Sequence, residues 1–218
     1  SPYDVPLAGQ RVKLIASLLY LRYSKRRYLR FYRSFNRFKM KCFFHQALMH
    51  WGYSAPLCII DNTNLARLRG LGASAVMVPE MEAFGRQYGF IFRCHGPGHS
   101  DRKAGDERSF WTVETNFLPG RTFENLEDLN QQALDWSTVR LEQRPQGFAH
   151  EQNFLLALPP HLPAPYQIHE RSIDQYGYVA FDANYYWAPE VLHGDLIVLE
   201  YDQHLVLCQG RQRHLEYP

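Results

Sequence analysis

Two acidic side chains, Asp61 and Glu107, have the type and position needed to bind a divalent cation. Asp61 ends the apolar run Pro56–Ile60, and no other Asp or Glu occurs from Val5 to that point. A carboxylate at the end of a buried strand is rigidly placed and still reaches solvent, which suits a Mg²⁺ ligand. Capping of a following helix is an equally open interpretation, because Asp is among the best N-cap residues.

Glu107 follows a polar, glycine-rich loop and lies in the first turn of a predicted helix, Ala104–Phe117. An acid in a first turn is also favoured by the helix dipole alone, and Asp106 and Glu114 are competing acids. Phosphoryl transfer between nucleic-acid strands uses two metal ions about 4 Å apart. A few carboxylates can hold them. An acid on a strand and one on a neighbouring helix would supply such a site.

The first quarter of the chain is strongly basic. From Val5 to Ile60 there are 11 Lys or Arg and no acid, although the whole chain carries only +2. With Asp4 counted, residues 61–218 carry −8. A positive segment of this kind predicts a polyanionic partner, and the interleaved Tyr and Phe could stack on unpaired bases. A solubilising charged face is the alternative, which is weaker because no acids balance the cations. The candidate DNA contacts in this segment are Arg22, Lys25, Arg26, Arg27, Arg30 and Arg33. Lys103 and Arg108, beside Glu107, could contact the DNA backbone as well.

Hydrophobic periodicity and turn residues predict a mixed α/β fold for residues 1–142. A linker rich in proline follows at 143–165, and short strands without a helical period fill 166–218, where we expect a small all-β barrel. The predicted strands of the first part are Val12–Leu21, Arg27–Arg33, Pro56–Ile60 and Phe90–Cys94. The predicted helices are Phe38–Trp51, Pro79–Tyr88, Ala104–Phe117 and Leu126–Arg140.

Other kinds of site are not favoured by the sequence. Cys94, His95 and His99 lack a fourth zinc ligand at a usual spacing, and no Gly-Lys-Ser/Thr phosphate loop occurs. No apolar run is long enough to cross a membrane, so we expect no membrane partner. The four cysteines are scattered, as is usual in a reducing cytoplasm.

Two segments resemble the insertion-sequence transposases of the IstA type, which have an integrase core. Leu57–Leu65 resembles the strand that carries their middle aspartate. Lys103–Trp136 resembles their glutamate helix, with a KGxxER-like start, a Phe-Leu-Pro-Gly-Arg turn at 117–121, and Leu129, Asn130 and Trp136 at matching positions. Ala104 stands where that family has glycine. The resemblance continues through the linker into the C-terminal part.

The resemblance implies an RNase H-like mixed sheet with flanking helices and an active site of the DDE type. Asp61 would be the second acid and Glu107 the third, sharing two Mg²⁺ or Mn²⁺ ions. The first acid of that family falls about two residues before a stretch like Ser1-Pro2-Tyr3, so it would precede this chain. Asp4 is the only local substitute.

The implied function is DNA transposition: metal-dependent cleavage and strand transfer of DNA. The implied partners are DNA (element ends and target), an ATPase helper protein and further copies of the chain assembled on DNA. The implied location is the nucleoid of a bacterial cytoplasm, and a helix-turn-helix domain would lie upstream. Two alternatives remain open, a catalytically incomplete DNA-binding remnant of a transposase and an RNase H-like nuclease.

Overall fold

A computed structural model describes residues 2–96, 110–140, 145–188 and 194–218. The chain divides into two compact units, Ser1–Leu162 and Pro163–Pro218. The first is mixed α/β and the second is all-β. None of the helices in the described ranges is both long enough and apolar enough to cross a membrane.

A three-stranded antiparallel sheet opens the first unit, with β1 (Pro2–Leu7) and β3 (Arg27–Tyr32) on either side of β2 (Gln10–Tyr20). Strand β1 was not predicted from the sequence, because two of its six residues are proline, which sheets accept only at edges and strand starts. It occupies an edge and alternates between exposed and buried residues. Ala8 and Gly9, both with positive φ, form a tight hairpin turn into β2.

Helices cover this sheet on both faces. Helix α1 (Arg37–Trp51) packs on one face and contributes to a core that contains Tyr28 and Tyr32 of β3, which we call the α1-side core. It ends at Gly52, which has a left-handed backbone conformation. Trp51 and Gly52 are the predicted end and stop of this helix.

The opposite face carries α3 (110–117, ending in the π-helical turn Val113–Phe117) and α4 (Leu126–Asp135). Together with Val5 and Phe31 these helices form the α4-side core. The predicted helix that runs to Arg140 is realised as α4 followed by a π-helical segment, Trp136–Arg140. The start of the predicted helix Ala104–Phe117 lies outside the described residues.

Strands β5 (Leu57–Ile60) and β8 (Ile91–Cys94) form a parallel pair, joined by α2 (Pro79–Gln87). In the sequence, the short strand β4 (Tyr53–Ser54) precedes β5. A hairpin of β6 (Arg67–Arg69) and β7 (Val76–Met77) lies between β5 and α2. The parallel pair rests on α1, because Ile60, Phe92 and Cys94 belong to the α1-side core. Helix α1 therefore covers the same side of both sheets.

The predicted linker 143–165 differs from the structure. Helix α5 (Pro145–Gln152) and strand β9 (Leu156–Ala157) lie within it, and β9 pairs with β4. The Glu151 carboxylate accepts hydrogen bonds from the backbone N–H groups of Tyr23 and Ser24 in the turn after β2. Proline content alone concealed this helix, because its stability comes from contacts with distant residues. The division between the two units falls after Leu162.

The second unit contains a four-stranded antiparallel sheet and a separate hairpin. The sheet order is β10 (Gln167–Ser172), β13 (Asp195–Glu200), β14 (Leu205–Gln209) and β15 (Gln212–Tyr217), and the hairpin joins β11 (Tyr178–Phe181) to β12 (Asn184–Trp187). Val179 of the hairpin and Val198 and Leu207 of the sheet share a core. In the described part of this unit the sheet is open, with β10 and β15 at its edges, so the expected closed barrel is not found. The β11–β12 hairpin therefore packs against the apolar side chains of the open sheet.

Candidate functional site

Asp61 lies at the carboxyl end of the parallel pair and is exposed. The His95 N–H donates to the Ile60 carbonyl at 3.0 Å. The Asn62 side chain in turn donates to the His95 carbonyl at 3.3 Å. The chain after Asp61 is therefore tied to the end of β8. It continues as turns rather than as a helix, and α2 begins only at Pro79 with Val78 as its N-cap. The helix-capping interpretation of Asp61 is thus excluded.

The alternation of side chains along β5 indicates the face of the sheet towards which Asp61 points. Cys58 and Ile60 face the α1-side core. Because successive side chains on a strand point to opposite faces, Leu57 and Ile59 face the other way, and Asp61 continues their series. The opposite face of the neighbouring three-stranded sheet is the one on which α3 packs through Val113 and Phe117. Asp61 therefore points to the α3 side of the layer.

The other residues of the predicted catalytic segment, Lys103, Glu107 and Arg108, lie outside the described residues. The described part of α3 opens at Phe110, three residues after Glu107 in the sequence. Glu114 of α3, the alternative to Glu107 as a metal ligand, is exposed. Within the described ranges, no three His, Cys, Asp or Glu side chains form a group that could hold a metal ion. Asp61 offers an exposed carboxylate, a hard oxygen donor of the kind that Mg²⁺ and Mn²⁺ prefer.

Asp4 occupies the exposed face of β1 directly opposite Lys13 in β2. A carboxylate and an ammonium in directly opposed positions are a favourable cross-strand pair. The segment of β2 that approaches β5 begins at Leu18, five residues beyond Lys13 and about 17 Å further along the strand. This separation favours a surface role for Asp4 over a role as ligand beside Asp61.

A groove of about 240 Å³ lies between the three-stranded sheet and the parallel β5–β8 pair. Residues Leu18–Arg22 of β2 and the turn after it line one side, and Leu57–Ile59 of β5 line the other. His95 and Glu151 also contribute to the lining. Among the described strands, none pairs with β5 on this side, and β1 pairs with β2 only as far as Ile15. The groove therefore has the edge of a strand on each side.

The six predicted DNA contacts of the basic segment differ in accessibility. Arg22 and Arg33 are exposed, whereas Lys25, Arg26, Arg27 and Arg30 are half-buried. Arg27 and Arg30 lie on opposite faces of β3, and burial lowers the pKa of Arg27. The Arg30 guanidinium lies 5.9 Å from the centre of the Tyr32 ring.

Arg26 has a structural contact that the sequence did not indicate. Its guanidinium lies 3.3 Å from the centre of the Phe148 ring in α5, a cation–π contact. Burial lowers the pKa of Arg26, and the nearby Glu151 carboxylate opposes that shift. Arg22 and Arg33 are thus the members of this set most accessible to a phosphate backbone.

Sequence reasoning missed the contribution of His95 and Asn62, which join the ends of β8 and β5 beside Asp61. The position of His95 directly after a predicted strand was the available signal, because the carboxyl ends of parallel strands lie at one edge.

No protein-family model matches the chain, and no curated protein matches it. Among solved structures, it is similar to a chain in the cryo-electron microscopy structure of the simian T-cell lymphotropic virus intasome in complex with PP2A regulatory subunit B56 gamma. The two are 12% identical with a TM-score of 0.48, and the match covers 100% of this chain and 74% of that chain. A likeness this distant carries no argument about the activity or ligands of the present chain.

Proposed function

We propose that this chain is the catalytic core and C-terminal β unit of a DNA transposase of the DDE type, with an RNase H-like fold. One observation carries the proposal: Asp61 stands at the carboxyl end of the parallel strand β5, whose alternation of side chains directs Asp61 to the side on which α3 packs. Glu107 lies three residues before the described part of α3 in the sequence. A strand acid and a helix acid that share one side of a sheet suit a site for metal-dependent phosphoryl transfer.

The proposed roles follow from these positions. Asp61 and Glu107 would hold two Mg²⁺ or Mn²⁺ ions, which would supply activation of the attacking oxygen and stabilisation of the leaving oxygen. Hydrogen bonds through Asn62 and His95 hold the strand end that carries Asp61. Arg22 and Arg33 would contact DNA phosphates, and the proposed contacts by Lys25, Arg27, Arg30, Lys103 and Arg108 remain part of this interface. Arg26, stacked on Phe148, would instead hold the turn beside it.

From the resemblance to the IstA-type transposases, we further propose that an acid two places before the position of Ser1 completes the triad. In the β1–β2 pairing, Pro2 lies opposite Ile15 and Leu7 opposite Gln10. If this register continues upstream, the residue two places before Ser1 lies opposite Leu18, which lines the groove beside β5. Its side chain would share the face of Tyr3 and Val5, the α3 side, towards which Asp61 also points.

The proposed partners are DNA, both element ends and target, further copies of the chain assembled on that DNA, and an ATPase helper protein. The first is supported by the exposed Arg22 and Arg33 and by the absence of acids from Val5 to Ile60. The other two rest on the resemblance to the IstA-type transposases.

The test is a DNA cleavage and strand-transfer assay with Mg²⁺ on the chain extended upstream through its natural residues. We expect Asp61→Asn and Glu107→Gln to lower both reactions roughly a thousandfold, because several kcal/mol of charge stabilisation would be lost. DNA affinity should change by no more than a few-fold. Glu114→Gln and Asp4→Asn are matched controls that should retain activity.

Each outcome of the assay has a distinct meaning. Joining of DNA strands supports a transposase, cutting without joining supports the nuclease, and binding alone supports the catalytically incomplete remnant. Full activity of Asp61→Asn, or loss of activity in Asp4→Asn, would refute the assignment of the acids.

A further inference from the structure

The hairpin that follows Asp61 exposes three apolar side chains. Leu68, Leu71 and Val76 are 59%, 46% and 43% exposed and lie within nine residues of one another. Isolated exposed apolar residues are normal on protein surfaces, but a cluster at one place usually marks a contact. We call these three residues, together with the exposed Arg69, the hairpin tip.

The base of this hairpin is fixed in the core of the unit. Ala66, Met77 and Val78 are buried in the α1-side core, and the Val78 N–H donates to the Ala66 carbonyl at 2.8 Å. Arg37 of α1 donates from Nε to the Leu65 carbonyl at 2.8 Å. The tip therefore projects from a rigid support.

The turn of the hairpin is also tightly built. Gly70 has a φ of +79°, and a Cβ there would lie 2.4 Å from the Ser74 carbonyl oxygen, so only glycine fits. The Arg67 guanidinium donates to the Gly70 carbonyl at 2.7 Å, and the Ser74 hydroxyl donates to the Leu71 carbonyl at 2.9 Å. Because this backbone is fixed, the exposed Leu68 and Leu71 need less ordering when they meet a partner.

The charge around the tip indicates the chemistry of that partner. No acid occurs from Asn62 to Pro79, whereas Arg67 and Arg69 both lie in this stretch. Apolar wedges flanked by arginines are characteristic of proteins that enter the DNA minor groove and unstack a base step. The hairpin also follows directly from the chain segment that joins Asp61 to the end of β8.

From these observations we infer that the hairpin tip inserts Leu68 and Leu71 into duplex DNA and unstacks a base step near the bond that is cut. This inference rests on the proposed function, because DNA is the ligand it requires. Unstacking would give the candidate site access to a strand that is otherwise held in the duplex. Arg69 would contact the flanking phosphate or groove edge.

The test uses the 218-residue chain and a set of short duplexes with 2-aminopurine at successive positions, whose fluorescence rises on unstacking. We expect the parent chain to raise the fluorescence severalfold at one or two adjacent positions. The double variant Leu68→Ser/Leu71→Ser should abolish that rise and weaken DNA binding roughly tenfold, because the apolar contacts with the unstacked bases are lost. The dependence of its affinity on salt should stay unchanged, since no cation is removed.

Three controls distinguish an effect of the hairpin tip from the loss of any exposed apolar side chain and from unfolding. Met49→Ser removes an exposed apolar side chain from α1, outside the tip, and should leave the fluorescence unchanged. Arg69→Ala should lower the slope of log affinity against log salt by about one. Circular dichroism of the double variant should match that of the parent.

Three outcomes would overturn the inference, in distinguishable ways. Absence of DNA binding by the parent chain would remove the proposed function as well. DNA binding without a fluorescence change, or with a change that the double variant retains, would refute the wedge alone. Loss of self-association in the double variant, with DNA unstacking unaffected, would identify the tip as an interface between copies of the chain.

Discussion

Asn130 connects a sequence resemblance to a physical role. Its side-chain carbonyl accepts from the Phe31 N–H at 2.7 Å, and its amide donates to the Phe31 carbonyl at 3.1 Å. The N–H and carbonyl groups of Phe31 lie on the outer edge of β3, which pairs with β2 alone among the described strands. Leu129 and Trp136, which belong to the same resembling motif, are buried in the α4-side core. This part of the motif therefore docks α4 on the sheet rather than acting in catalysis.

We expect Asn130→Ala to lower the free energy of unfolding by about 1–3 kcal/mol, because two backbone groups of Phe31 lose their partner. Asn130→Asp keeps the acceptor for the Phe31 N–H but sets a carboxylate oxygen against the Phe31 carbonyl, so it should destabilise at least as much as Asn130→Ala. Urea denaturation measures both. Gln131→Ala changes the neighbouring exposed residue and should cost no more than about 0.5 kcal/mol. Equal effects at positions 130 and 131 would contradict this role of Asn130.

The position of Asp61 could be predicted from the sequence, but its direction could not. The position of Asp61 after an apolar run was sufficient to predict a carboxylate at a strand end. Its direction was not predictable, because that depends on which face of β5 α1 covers, and the packing of Cys58 and Ile60 decides this. Likewise, the sequence could not separate the exposed Arg22 from Arg26, whose partner Phe148 lies far along the chain.

At the scale of elements, segments with a clear apolar pattern were predictable, including the four-residue strands β5 and β8. Segments that contain proline or glycine at unfavourable positions were not. Strand β3 and helix α2 begin at the residues that the sequence indicates. Strand β1, with two prolines, and helix α5, with Pro145 and Gly147, contradict local propensity. Tertiary contacts stabilise both, through pairing with β2 and through the bonds from Glu151 to the turn after β2.

The link between α1 and α2 depends on an ion pair that should respond to pH. Glu80 lies in the first turn of α2, and its carboxylate accepts from Lys41 Nζ of α1 at 2.5 Å. Arg37 Nη1 lies 3.6 Å from the other oxygen. The hydrogen bond from Lys41 is the largest cause that lowers the pKa of Glu80, and the two nearby cations act in the same direction.

Because the pKa of Glu80 is lower in the folded than in the unfolded protein, its contribution to stability is present above the unfolded value, about 4.3. The contribution is lost as the pH falls through the folded value. We therefore expect Glu80→Gln to be less stable than the parent at pH 7, with a difference that shrinks as the pH falls below about 4. Urea midpoints across that range measure it.

As a control, Glu82→Gln removes an acid of the same turn but leaves the Lys41–Glu80 pair intact. A difference for Glu80→Gln that does not vary with pH would contradict the assignment.

At the scale of the whole molecule, charge is divided between the two units. Ser1–Leu162 carries +7 and Pro163–Pro218 carries −5, so the net charge of +2 conceals a strongly cationic unit. The cations of that unit do not form one uniform surface, because Arg26 stacks on Phe148 and Arg27 is half-buried. A DNA interface on this unit should therefore depend on a subset of its arginines.

Measuring DNA affinity against salt concentration would identify that subset. Each phosphate contact that is removed lowers the slope of log affinity against log salt by about 0.9. We expect the double variant Arg22→Ala/Arg33→Ala to lower the slope by about two, because both side chains are exposed. Arg26→Ala should leave the slope nearly unchanged and instead lower the free energy of unfolding, since it breaks the stack on Phe148. If Arg26→Ala lowered the slope as much as the double variant, the basic segment would bind DNA through a rearranged turn after β2, and exposure in this structure would not select the DNA contacts.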